Sequence, residues 1–524
     1  MTRQLRTLGG AICIVGPLVL LGLVTIIGAC RAPGPATVPS FGLFEGTLDV
    51  GSTTLAGSAV WDDSTDSYTI TGSGENMWGE RDAFRMVWKR VGGDFMLSAR
   101  ASLGNPGDPG RHEHRKFGLI VRSGLGEADA YADAAVHADG LASLQFRRAP
   151  GAVTEEVPAP GFESGTSVAD VVQLERSGGS IVASFARFGE ALTSVRLDSL
   201  ALGDSVYVGL FVCAHDSTAL ETATFSQVRL SRPAAPDFTP YRDYIGSRLE
   251  ILDVETGDRR VVFTDLGSIQ APNWTTDGKA LIFNRNGLLY RFDLATGDTT
   301  RIDTGFATEN NNDHVLSFDG STLAISHHAD DADGQSIIYT VPVTGGVPKR
   351  VTEFGPSYLH GWSPDAKHLV YTALRGDDYD VYRIPVEGGA EVRLTDAKGL
   401  DDGPEYTPGG EWIWFNSLRS GTMQLWRMRP DGSGAQRMTQ SGTNDWFPHV
   451  SPDSKRVVFL AFGPEVPPAD HPFYRHVTLQ LMPADGSTPP RTVAYVYGGQ
   501  GTINVPSWSP DSRQVAFVSN TGAF

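Results

Sequence analysis

The sequence predicts an all-β protein, a β-sandwich followed by a six-bladed β-propeller. Three observations lead there. Strand-like runs bounded by turn clusters fill the chain, and helical periodicity is hard to find. Gly (60) and Pro (32) are abundant, as many short strands and turns require. The second half also repeats itself at a spacing of roughly 40 to 60 residues, the length of four short strands or one propeller blade. At 524 residues the chain exceeds one ordinary core, so more than one domain is expected.

The first element, 1–30, reads as a targeting segment. Arg3 and Arg6 supply positive charge, and 11–27 is almost wholly apolar, the make-up of a signal peptide. It ends Ile27-Gly28-Ala29-Cys30, which resembles the bacterial lipobox. That resemblance implies cleavage before Cys30, lipidation of Cys30, and residence in the cell envelope, at the periplasmic face of the outer membrane or the cell surface. An uncleaved transmembrane anchor is the other reading, because the run is nearly long enough to span. Residues 31–40, rich in Pro and Ala, read as a tether. Cys213 is then left without a disulfide partner and reads as a small buried hydrophobe. A net charge of -18 repels nucleic-acid phosphates, so nucleic acid is not an expected partner.

The second element, 41–232, carries strand-like runs such as Phe117-Gly-Leu-Ile-Val-Arg122 and Val206-Tyr-Val-Gly-Leu-Phe-Val212. Their spacing suggests a sandwich. Gly72-Ser-Gly-Glu-Asn-Met-Trp-Gly79, Trp88-Lys-Arg-Val-Gly-Gly-Asp-Phe95 and Gly118-Leu-Ile-Val-Arg-Ser123 resemble concanavalin-like jelly-roll domains. That family often binds carbohydrate on a concave sheet face. Trp78, Trp88, Arg122, His137 and Arg147 are the candidate platform, since aromatic rings stack on sugars and Arg donates paired bonds. Core tryptophans are the competing reading. His112, Glu113 and His114 have metal-ligand residue types, but their Gly/Pro-rich setting at 104–116 reads as a solvated loop.

The third element, 240–524, holds the repeats. Copies begin at Pro272, His314, His360, Pro404, Pro448 and Pro506, the fullest form being His360-Gly-Trp-Ser-Pro-Asp365. Ser-Pro-Asp is a turn signal, because Pro fixes φ and Asp accepts the following bend. The last copy has room for about two strands. The other two stand at the start, Leu249-Glu-Ile-Leu-Asp-Val254 and Arg259-Arg-Val-Val-Phe263, so the tail is expected to close a ring of six blades. This half resembles the propeller of the TolB family, which implies an envelope interaction protein and leaves the ligand open.

The repeat start is expected to enter the innermost strand beside the channel. Two readings follow. In one, the funnel binds a protein or oligosaccharide partner, with Trp446, Tyr474 and Tyr358 as anchors and Trp78 serving the sandwich. In the other, the ring is a metal-dependent oligosaccharide lyase or hydrolase. His314, His360, Glu405 and His449 then hold a divalent ion of the Mn or Zn type, His471 or His476 is the base, and Arg475 clamps an anion.

Overall fold

A computed structural model describes residues 41–524 apart from Pro106, Pro240 and Tyr241. The expected signal peptide, Cys30 and the tether lie outside the described residues. No described helix is long and apolar enough to cross a membrane.

Two seven-stranded antiparallel sheets come first. In one, the strands Phe84–Gly92, Ser205–Cys213, Lys116–Arg122, Tyr131–His137 and Ala142–Arg147 lie side by side. In the other, Phe95–Leu103 sits between Val171–Ser177 and Asp216–Ser231. Successive side chains in a strand point to opposite faces. Leu119, Val121, Ala132, Ala134, Leu144 and Phe146 therefore share one core with Leu97, Leu174, Phe185 and Phe225 of the opposite sheet.

The reverse face of the first sheet is buried too, although it is polar: Lys116, Arg122, Asp133, His137, Gln145 and Arg147 are all covered. The chain's own segment around Met77 and Asp82 lies there. The Met77 carbonyl accepts from Tyr131 Oη at 2.7 Å, and Asp82 takes Arg122 and Arg147, each at 2.7 Å. This corrects the expected sugar platform. Arg122 and Arg147 have both spent their donors internally, His137 is covered, and the Trp88 ring packs on Tyr207 at 5.3 Å. Only Trp78 of that set is well exposed.

Five four-stranded sheets and one three-stranded sheet make the propeller. The three-stranded sheet joins Gln514–Thr521 to Gly246–Asp253 and Arg259–Asp265. Val518 pairs with Leu249, and a bridge from Trp508 to Val515 adds the inner edge. The tail thus completes the sheet begun near Leu249, and six blades close the ring.

The Ser-Pro-Asp turns close by side-chain bonds. Ser363 Oγ donates to Asp365 Oδ1 at 2.6 Å, Lys367 N donates to the same oxygen, and His368 N donates to Ser363 Oγ. Thr275–Asp277, Ser317–Asp319, Ser451–Asp453 and Ser509–Asp511 repeat the 2.6 Å contact. Asp365→Ala should remove these bonds and lower unfolding stability modestly, read as a shifted urea midpoint with an unchanged slope.

The first two sheets are tied to the closing blade through Glu250. This wholly buried carboxylate lies 3.2 Å from both Arg229, in the sheet strand Asp216–Ser231, and Arg259, in its own blade. Ser519 Oγ, in the tail strand, donates to its other oxygen at 2.5 Å.

Candidate binding site at the channel mouth

The innermost strands are Gln270–Trp274, Asn310–Leu316, Ser357–Trp362, Asp401–Tyr406 and Asn444–Val450. Each slips register against its neighbour, between Gln270 and Asn273, Asn310 and His314, Leu359 and Gly361, Asp402 and Glu405, and Trp446 and His449. Such bulges re-aim side chains. The backbone turns left-handed at matching places, with φ of 53° at Ala271, 62° at Gly403 and 54° at Phe447. A left-handed phenylalanine is unfavourable unless its surroundings enforce it, and such strain concentrates at functional sites.

Residues N-terminal to or within the bulges face a cavity of about 510 Å³ at the channel mouth, lined among others by Asn312, Asp313, Tyr358, His360, Asp402 and His471. A neighbouring cavity of about 390 Å³ shares Asn311, Asn312, His328 and Gln500 with it. His360 Nε2, from the third blade, lies 3.1 Å from Asp402 Oδ1, from the fourth. The His360 ring stacks on Phe447 at 6.0 Å. His471, on the fifth-blade insertion, packs edge-on against Trp446 and Phe447.

Burial alone would push Asp402 up and His360 down. Their hydrogen bond and mutual charge reverse both, holding Asp402 at about 2 and raising His360 above the usual imidazole range. Asp313 is pushed up to about 7 by burial, with Asp402 adding to the rise and His360 opposing it. Burial lowers His471. The mouth is therefore an acid–imidazole cluster in which His360 balances the ionised Asp402, with Asp313 beside them and many amide groups around. Asp402→Asn should lower the His360 pKa, because burial is then opposed only by Asp313 and the Asn504 carbonyl. Histidine-selective NMR titration of wild type and variant reads this directly.

The four residues expected to hold a metal in the ring do not converge, which corrects that expectation. His449 Nδ1 and Glu405 Oε2 are 2.6 Å apart, His449 Nε2 faces the Ile503 carbonyl, and Glu405 Oε1 accepts from Val450 N. The His314 ring turns back to the Ile282 carbonyl at 3.2 Å, and burial lowers it to about 4. Only His360 reaches the cavity, and its partner there is Asp402. Among the expected anchors, Tyr358 lines the wall. Trp446 is core. Tyr474 is buried and its Oη accepts from Ile245 N at 3.1 Å, which fixes the lead-in to the propeller.

Of the expected catalytic groups, His471 alone is at the mouth. His476 lies in a separate cleft against the second sheet, 3.1 Å from Glu175. The Arg475 guanidinium bonds to the carbonyl of Tyr474. Asp313 and Asp402 were not singled out from the sequence. The signal available was an acidic residue in the polar approach to the repeat starts at His314 and Pro404.

A family model described as the TolB beta propeller domain matches residues 355–464. An uncharacterised protein of Agrobacterium fabrum is 47% identical over 274 residues, spanning 52% of this chain and 92% of that protein. A solved structure from Agrobacterium tumefaciens, named as a TolB, is 45% identical with a TM-score of 0.51, covering 54% of this chain and all of that one. The Tol-Pal system protein TolB of Francisella tularensis is 25% identical over 286 residues, 52% of this chain and 61% of that protein.

Proposed function

The chain belongs to the TolB β-propeller family, and from that premise we propose that it is an envelope-located binding protein whose channel mouth captures a polypeptide segment through its backbone and polar side chains. The observation that carries this is the cavity where Asp313, His360 and Asp402 of three successive blades meet. The His360–Asp402 pair and the Asn/Gln wall offer donors and acceptors for a peptide backbone and polar side chains. Tyr358 and Tyr379, whose rings lie 6.2 Å apart, add apolar rim surface of the kind that anchors interfaces. Lipid on Cys30 would hold this mouth in the envelope, and the two leading sheets would act as a concanavalin-like spacer domain.

The test is photo-crosslinking in cells, with a photoreactive residue at Tyr358 in an otherwise native chain. A discrete crosslinked polypeptide is expected, its yield falling about tenfold or more with Asp402→Ala, as truncating a buried charged contact does. No crosslinked polypeptide, or a yield indifferent to Asp402, rejects the reading. Fatty-acid labelling that disappears in Cys30→Ala checks the anchor.

A further inference from the structure

Far from the channel, the ends of three adjacent strands of the first sheet gather four histidines from three places in the chain. Cys213 pairs with Lys116, and Lys116 with His137. His215 just beyond one strand, His114 just before the next, and His137 at the end of the third therefore fall at one end of the sheet. His112 and Asp139 flank them. The His112 and His215 ring centroids are 4.0 Å apart, His114 and His137 5.8 Å, and His114 and His215 6.0 Å. His114 Nδ1 is 3.5 Å from Asp139 Oδ2.

We propose that His114, His137 and Asp139 form a binding site for a zinc-type divalent cation, with His215 beside them as a further imidazole donor. One ligand atom from each of the three lies within 4.8 Å of the others. Zinc holds imidazole and carboxylate atoms at about 2.0–2.2 Å, so ligand atoms sit within about 4 Å of each other. Closing the set needs about an ångström of movement, and His114, on a partly exposed loop, can supply it.

A second observation points to a ligand. His137 is 5% exposed, yet its Nδ1 has no hydrogen-bond partner, and the buried Nδ1 atoms of His114 and His215 share that condition. Ordinary packing leaves few such nitrogens orphaned, and three in one cluster is what a shared cation would resolve. The surroundings resemble an outer ligand shell. Ser164 Oγ donates to Asp139 Oδ2 at 2.6 Å and Leu141 N to its Oδ1 at 3.1 Å, fixing the carboxylate. Gln145 Nε2 donates towards His137 Nε2 at 3.1 Å, so zinc at Nδ1 requires the Gln145 amide to turn as the ring proton moves to Nε2. Imidazole with one carboxylate suits zinc better than calcium or magnesium. A cation there would pin the ends of three strands and the 104–115 loop.

The experiment uses the purified full chain, stripped with chelator and titrated with zinc chloride against a competing chelator. One equivalent per chain is expected, with a higher melting temperature, and cobalt in its place should give the visible bands of a site with nitrogen ligands. His114→Ala and Asp139→Asn, both at partly exposed positions, should each weaken zinc binding about tenfold or more. His368→Ala, on the propeller surface, should not. Uptake of less than one equivalent by the wild type, or zinc affinity unchanged in both variants, overturns the site. The two variants' melting curves without metal show that they fold.

Discussion

Asp82→Ala should collapse the two leading sheets while the propeller stays folded. Arg122 and Arg147 are wholly buried and both depend on this one carboxylate, each at 2.7 Å. Removing one partner of a buried pair costs about 3–5 kcal/mol, because the other charge is left uncompensated. Here two guanidiniums are left. Arg147 keeps the carbonyls of Gly79 and Ala152, and Arg122 that of Gly126. Those dipoles satisfy N–H groups but do not neutralise a charge, so the desolvation cost dominates. A domain holds only about 5–15 kcal/mol in total. Pulse proteolysis in low urea should then digest 41–232 and leave a protected fragment from 240–524. Equal protection of both parts in the variant would show that the triad does not hold the sheets.

Glu250→Gln should lower the urea midpoint of the closing blade and reduce its grip on the leading sheets, by about 3–5 kcal/mol at neutral pH. Its pH dependence separates charge from shape. Burial pushes this carboxyl up, but Arg259 and Arg229 outweigh burial and hold it at about 2. The folded value lies below the unfolded one of about 4.3. The charged form's contribution is therefore complete above about pH 4.3, and it is lost as pH falls through about 2. The gap between wild type and variant should stay level from pH 7 down to about 4.3 and narrow from there towards pH 2. Groups common to both proteins, including Asp133, which burial pushes up to about 8, cancel in the difference. A gap that stays constant with pH would mean that the glutamine costs stability through packing alone.

The blades were legible because each repeat carries its own turn chemistry. Ser363 and Asp365 meet through local bonds, so sequence spacing alone marks the blade. The mouth was legible as a region and not as a set of ligands. His314, His360 and His449 stand at or one residue past the repeat starts, and all three lie on inner strands. A bulge in each strand decides which side chain faces the channel. That is why Asp402 lines the cavity while Glu405 turns to His449.

Residue types could not reveal the polar face of the first sheet. Arg122, Arg147 and His137 look like a sugar platform until the Met77–Asp82 segment is laid over them. The histidine cluster was half visible in His112 and His114. His137 and His215 join them only through the pairing of Cys213 with Lys116 and of Lys116 with His137.

What the sequence determined by itself was the architecture: blade number, ring closure by the tail at Leu249, and the β-rich leader. These follow from local turn chemistry and period-two patterning, which each segment carries alone. Tertiary structure alone decided the chemistry: the His360–Asp402 pair, the carboxylates of Asp82 and Glu250 among their arginines, and the His114–His137–Asp139 cluster. A charge's worth depends on its partners and on the water excluded around it, and strand register and bulges set both.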